Sequence, residues 1–239
     1  MLSKNQIKSL TGLKQKKYRQ QHGLFVAEGV KTIQELLSSN LILQQLYTTV
    51  TFHLNTNLET LISESDLKKI SSLKTPNQAL AVFNIPEMEI LPESGFILAL
   101  DAVRDPGNLG TIIRLCDWFG IENIICSEQT VDCYNPKVIQ ATMGSITRVH
   151  VSYTDLKTYL STTKLPVYGA FMDGDNVYTE TLVSEGVLVM GNEANGISEA
   201  IEKHITKRVS IPRFGAVQAT ESLNVATATA ILLSEFKRR

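Results

Sequence analysis

The chain has 239 residues, of which 43% are hydrophobic and 20% charged, and its formal net charge is −1. This is an ordinary soluble globular composition, long enough for one large domain or two small ones with real cores, and its net charge gives no global sign of a polyanionic partner. No apolar run approaches a membrane span, and the N-terminus carries no signal-peptide core. Cys116, Cys126 and Cys133 are odd in number and off metal-ligand spacing, while His22, His53, His150 and His204 are scattered. These counts point to a reduced, cytoplasmic protein without a zinc site.

From Met1 to Ala27 the basic residues are Lys4, Lys8, Lys14, Lys16, Lys17 and Arg19, with no Asp or Glu among them. Such a block suits a polyanion, and a solvated helix face is the other reading. Ile7, Leu10 and Leu13 on this polar background predict a basic helix over Lys4 to Lys17. Leu24 to Val26 reads as a short strand, and Val30, Ile33, Leu36 and Leu37 fall at helical spacing. Leu43 to Val50 is the next expected strand, Asp66 to Ser72 a short helix, and Ala79 to Phe83 another strand. Residues 1–85 therefore form a small α/β unit. Between 86 and 95, Pro86, Pro92 and Gly95 with three acids read as a linker, which leaves 96–239 as the second domain.

That second domain alternates more clearly. The apolar run Phe96 to Leu100 ends in Asp101, and a loop through Asp105-Pro106-Gly107 leads to a helix from about Asn108 to Phe119, closed by Gly120. Asn108 is placed to cap it. Asn123 to Cys126, Val167 to Phe171 and Val187 to Met190 are further strands. Short apolar runs separated by loops and helices predict a parallel sheet covered on both faces, with ligands at the carboxyl ends of its strands. Three loops stand there, after Leu100, after Met190 and after Ile211.

In the first loop's helix, Leu109, Ile112, Ile113 and Cys116 make the buried stripe, and Arg114 points away beside Thr111 and Trp118. Arg114 can meet RNA phosphate or another subunit, or simply be solvated. In the second, Gly191 and Gly196 allow close backbone approach to a ligand, and Glu193 can bind a ribose hydroxyl, an amino group or an arginine. A capped turn explains that loop equally well. In the third, Ile211-Pro212 leads to Ser222-Leu223-Asn224 and a helix from about Ser222 to Phe236, whose N-terminus favours an anion. A serine cap is the plainer reading. The turn after Leu100 lacks the glycine fingerprint of dinucleotide sites.

The ordered trio resembles the SpoU/TrmH branch of the SPOUT RNA methyltransferases. The matching elements are Asn108-Leu109-Gly110 through Arg114, Gly191-Asn192-Glu193 through Gly196, and Ile211-Pro212 with Ser222-Leu223-Asn224. Asp132 to Lys137 with Met143-Gly144 looks like the family's middle region. Lys16 to Arg19 with Leu24 to Gly29 looks like the attached RNA substrate-binding domain. Two departures are Arg213, where the family usually has Met, and a longer stretch from Pro212 to Glu221.

The resemblance implies an α/β fold with a parallel sheet and a deep C-terminal trefoil knot, preceded by the small RNA-binding domain. It implies a homodimer, S-adenosylmethionine as cofactor, and rRNA or tRNA as substrate, methylated at a ribose 2′-hydroxyl. Ala170, Phe171, Gly191, Gly196, Ile211 and Leu223 would line the cofactor pocket. Asn108, Arg114, Glu193, Ser222 and Asn224 would form the catalytic and RNA-facing set, and Lys14, Lys16, Lys17 and Arg19 would bind RNA. The family's arginine is often assigned as base, but a guanidinium stays protonated in proteins. Phosphate anchoring and alkoxide stabilisation suit Arg114 better, with a proton relay through Ser222 as the alternative. Two competing classes are a non-catalytic RNA- or ribosome-binding protein on the same scaffold, disfavoured by the intact motifs, and a nucleotide-dependent metabolic enzyme.

Overall fold

The computed structural model describes residues 1–87, 91–215, 217 and 222–238. The chain divides into two compact units, Met1–Glu87 with Asp132–Thr147, and Met88–Val131 with Arg148–Arg239. The linker expected over 86–95 includes 88–90, which lie outside the described residues.

The first unit begins with α1 (Lys4–Gly12) and α2 (Lys16–His22), followed by β1 (Leu24–Glu28), α3 (Val30–Leu37), β2 (Leu43–Thr48), β3 (Glu59–Leu61), α4 (Glu64–Ile70) and β4 (Ala79–Asn84). The single basic helix expected at the N-terminus is thus two, broken at Leu13 to Gln15. The strands form a mixed sheet in the order β1-β4-β2-β3. Alternation along β1 and β4 feeds two cores. Val26, Leu80 and Val82 join Leu10 and Leu13 on one face, while Phe25, Ala27, Ala81 and Phe83 join Ile33 and Leu36 on the other.

The second unit supplies β5 (Phe96–Leu100), α5 (Pro106–Phe119) and β6 (Asn123–Ser127). The chain then returns to the first unit for α6 (Pro136–Thr142) and a 3₁₀ turn, Ser145–Thr147. Sequence reading placed residues 132–147 inside the second domain; instead they complete the first unit's core. Tyr134 packs its ring 4.8 Å from Phe25, Ile139 is buried beside Phe25 and Ile33, and Asp132 pairs with Arg19. Gly144 comes so close to α3 that a Cβ there would lie 2.6 Å from Glu35 Cβ.

The second unit resumes with β7 (His150–Thr154), α7 (Leu156–Thr162), β8 (Val167–Asn176), β9 (Gly186–Met190), α8 (Glu199–Glu202), β10 (Lys207–Ser210) and α9 (Val225–Lys237). Its six strands are all parallel, in the order β10-β8-β9-β5-β6-β7. The sheet grows outward from β5 to β7, then returns to the far side, and β9 fills the place between β8 and β5. Both faces are covered, as a parallel sheet requires. Ile97, Val167, Val187 and Val189 pack with Leu156, Leu160 and Ile201 from α7 and α8. On the other face Phe96 and Tyr168 meet Phe236 of α9, and α9 packs against α5.

Candidate active site

The carboxyl ends of β5 and β9 are adjacent, and their loops are bolted together. Asp101, buried at the end of β5, accepts from the Ser198 N–H at 2.8 Å. The next residue, Ala102, sits in the left-handed region at φ 57°, a conformation that a side chain makes costly. Two hydrogen bonds hold it there: its N–H donates to Ser127 Oγ at 2.9 Å, and its carbonyl accepts from Asn192 Nδ2 at 2.6 Å. Asn192 Oδ1 in turn accepts from the Ala194 and Asn195 N–H groups. The backbones of Asn192 and Gly196 exchange a pair of hydrogen bonds at 2.8 and 2.9 Å. Sequence reasoning passed over Asp101 and Asn192; the signal was an acid at the end of an apolar run and an asparagine after a strand-terminal glycine.

Gly191 has a different purpose from the one its position suggested. A Cβ there would lie 2.2 Å from the Gly196 carbonyl carbon and 2.3 Å from Ile197 N. The space left by the missing side chain is filled by the loop's own backbone. Gly196 instead needs its glycine for φ 67°.

The helix after β5 starts earlier than expected. Asp105 is the cap, accepting from the Asn108 N–H at 2.8 Å, and Pro106 takes the first helical position, where its missing N–H costs nothing. Asn108 is therefore inside the first turn, with its side chain free for other work. It donates to Glu193 Oε1 at 3.0 Å and accepts from Asn224 Nδ2 at 2.9 Å. Helix α9 starts later than expected, because Asn224 and not Ser222 caps it, accepting from the Ala226 and Thr227 N–H groups. One connected line thus joins the first turn of α5, the loop after β9 and the cap of α9.

Beside this line a cavity of about 700 Å³ opens at Ala170 to Met172 of β8 and the carboxyl ends of β9 and β10. Ala170, Phe171, Gly191, Gly196, Ile211 and Leu223 all line it, as do Glu193 and Ser222. Sequence reasoning missed Met190, Phe214 and Leu232, which add apolar wall. The stretch Arg213 to Glu221 includes 216 and 218–221, which lie outside the described residues. Phe171 carries the Arg208 guanidinium over its ring, 3.5 Å from the centroid. Arg208 pairs with Asp173 and Glu202. The hydrogen bond from Arg208 holds the Asp173 carboxyl below the ordinary carboxylate range.

Arg114 is not brought into this group. It is exposed on α5, and no hydrogen bond or ion pair joins it to another described residue. Of the basic N-terminal residues, Lys16 and Lys17 are exposed, while Lys14 donates to the Ser71 carbonyl at 2.8 Å. Arg19 does not fit its expected role at all. It is 1% exposed, donates to the Leu13 and Lys14 carbonyls and pairs with Asp132. A guanidinium sequestered this way ties the α1–α2 junction to the chain around residue 132 and is closed to RNA. Among the described residues, no cluster of His, Cys, Asp and Glu is placed to hold a metal ion. No helix among the described residues is long and apolar enough to cross a membrane.

Residues 95–234 match the SpoU rRNA Methylase family. The chain belongs to that family. Residues 4–81 match the MRM3-like substrate binding domain. A relative from Bacillus subtilis, the 23S rRNA (guanosine(2553)-2′-O)-methyltransferase RlmP, is 33% identical over 97% of this chain and 96% of its own length. Among solved structures, a TrmH-family protein from Porphyromonas gingivalis is 39% identical, with a TM-score of 0.91 over 100% of this chain and 99% of that one. An AdoMet-bound rRNA methyltransferase from Sinorhizobium meliloti is 28% identical, with a TM-score of 0.88 over 100% of this chain and 97% of that one. The SpoU match spans the loops after Met190 and Ile211 that line the cavity, and the loop after Leu100 beside them.

Proposed function

We propose that this SpoU-family chain transfers a methyl group from S-adenosylmethionine to a ribose 2′-hydroxyl of structured RNA, with ribosomal RNA the first candidate and transfer RNA the second. The observation that carries this reading is the cavity between β8 and the carboxyl ends of β9 and β10, with the Glu193–Asn108–Asn224 line at its side. The cavity fits the cofactor: its volume is in the range of small-molecule sites, Ile211, Leu223 and Leu232 offer an apolar slot, and Glu193 adds an anionic side chain. Ala170, Phe171, Gly191, Gly196, Ile211 and Leu223 would hold it. When bound, the sulfonium supplies an activated methyl group, so the protein needs only to align the acceptor oxygen and manage its proton.

The chain's own residues divide that work. Asn108 and Asn224 fix Glu193 and the entrance of α9, and Ser222 offers a hydroxyl at the cavity for a proton relay. Arg114 would anchor RNA phosphate and stabilise the developing alkoxide. Because Arg114 stands apart from the other four, its natural site is the neighbouring subunit of a homodimer. Trp118, 84% exposed, lies one turn from Arg114 on the same helix and gives that face an apolar side chain for a second subunit to cover. The deep trefoil knot of the SPOUT fold, a cytoplasmic location and RNA contact through Lys16 and Lys17 belong to the same proposal.

The test is methyl transfer from labelled S-adenosylmethionine to 23S rRNA and tRNA transcripts, followed by mapping of 2′-O-methylated positions. Label at a ribose 2′-oxygen supports the proposal. RNA binding without label, under conditions where the cofactor binds, would instead mean a non-catalytic RNA-binding protein.

A further inference from the structure

Phe171 on β8 is a cavity wall residue with an unusual degree of support for a side chain near a rim. Its ring occupies the space that a side chain at residue 169 would take: a Cβ on Gly169 would lie 2.5 Å from Phe171 Cε2. The Arg208 guanidinium, from neighbouring β10, lies 3.5 Å from the ring centroid. That guanidinium is itself fastened at two corners. Nη2 donates to Asp173 at 2.5 Å, and Nη1 donates to Glu202 of α8. A guanidinium held by carboxylates on two sides keeps its plane, so it can fix the ring it touches.

The methyl-transfer roles above use none of these charges. The geometry points to Arg208 as a positioning residue for the cofactor, acting through Phe171. It holds the ring in the orientation that makes a flat wall, so the cavity is preformed before the ligand arrives. The two carboxylates matter for a second reason. They outweigh the single guanidinium, so this wall does not present net positive charge to a ligand that carries a sulfonium. Sequence reading singled out Phe171 by resemblance but gave no reason to notice Arg208, which lies 37 residues away.

This inference rests on the cavity being the cofactor site, and the test separates the two. S-adenosylhomocysteine is titrated calorimetrically into the full chain, into Arg208→Ala, into Phe171→Leu and into the double variant. Arg208→Ala should weaken binding about three- to fivefold, the scale of an exposed cation–π contact. The KM for S-adenosylmethionine should rise with it, while kcat at saturating cofactor and the KM for RNA stay unchanged. The double variant should bind no more weakly than Phe171→Leu alone, because the arginine acts only through the ring. If Arg208→Ala does not fold, Arg208→Gln carries the same comparison, since it retains a polar side chain without the charge. Losses that add in the double variant, or a folded Arg208 variant with unchanged affinity, overturn the positioning role. If the unaltered chain binds no S-adenosylhomocysteine, it is the cofactor reading of the cavity that fails.

Discussion

The side-chain amide of Asn224 donates to Asn108 Oδ1 at 2.9 Å, joining two residues 116 positions apart. Each amide is used at both ends. Asn224 turns its oxygen to the α9 N-terminus, and Asn108 turns its nitrogen to Glu193. A side-chain amide suits this arrangement because its oxygen accepts while its nitrogen donates, whereas an ionised carboxylate of the same shape only accepts. Asn108→Asp keeps the shape but replaces the donor with a carboxylate oxygen against Glu193. It should therefore reduce kcat/KM more than Asn108→Ala does. About tenfold is expected for the alanine, the scale of one or two net hydrogen bonds. Both variants should unfold within about 1 kcal/mol of the parent, because the line is at the surface. Equal activity of the two variants would show that the donor end does nothing.

Two glycines of the β9 loop make a paired prediction. Gly191→Ala forces a Cβ into backbone of Gly196 and Ile197, where no flexible side chain can give way. It should cost about 2 kcal/mol or more and abolish S-adenosylhomocysteine binding by displacing the loop. Gly196→Ala meets no neighbouring atom but must hold φ 67°, so it should cost about 1 kcal/mol and retain binding. Thermal unfolding and calorimetry on both variants decide it. Binding retained in a folded Gly191→Ala would mean the loop's close approach is dispensable to the cavity.

The sequence made the cavity legible and its reasons less so. Residues 170, 171, 191, 196, 211 and 223 line one space; the strand-end rule pointed to the loops after Met190 and Ile211, and the resemblance to the SpoU/TrmH family supplied the individual positions. Gly191 was assigned to ligand approach because a sequence does not reveal which backbone crosses a glycine. The caps of α5 and α9 slid by a few residues because several residues in each loop are competent caps, and Pro106 and the Asn108–Asn224 bond choose among them. Nothing local announces that residues 132–147 leave one unit for the other. That depends on Phe25, Tyr134 and Ile139 meeting across more than a hundred positions.

Arg19 supplies the sharpest change of expectation. Reversing Lys16, Lys17 and Arg19 together would confuse two effects, since Arg19 is buried with Asp132. Arg19→Ala should destabilise the protein by about 3 kcal/mol or more, because it strands a mostly buried carboxylate and two carbonyls. Lys16→Glu with Lys17→Glu, at exposed positions, should cost less stability than Arg19→Ala, weaken RNA binding and flatten its salt dependence. Affinity and salt slope are read by titration at several salt concentrations. If RNA affinity survives the lysine reversals, this surface does not meet RNA.

The last prediction concerns the separation of Arg114 from the Glu193–Asn108–Asn224 line. Arg114 is exposed on α5 and absent from the cavity lining, so within one chain it has no evident site to serve. If the chain dimerises through the face that carries Trp118, Arg114 of one protomer completes the site of its partner. Arg114→Ala should then fold, dimerise and bind S-adenosylhomocysteine normally, yet lose most methyl transfer. Asn224→Ala should also lose transfer, since it removes a cap worth about 1 kcal/mol and the bond that holds Asn108. Mixing the two inactive variants under conditions that exchange subunits distinguishes the arrangements. In a shared-site dimer, one composite site of each heterodimer carries both defects and the other carries none. Activity therefore recovers toward one working site per mixed dimer. In a dimer whose sites are each built from one chain, every site keeps one defect and mixing restores nothing. Recovery that appears only after subunit exchange, and grows with the heterodimer fraction, is the outcome expected. Its absence in a verified heterodimer would return Arg114 to its own chain while leaving the methyl-transfer reading in place.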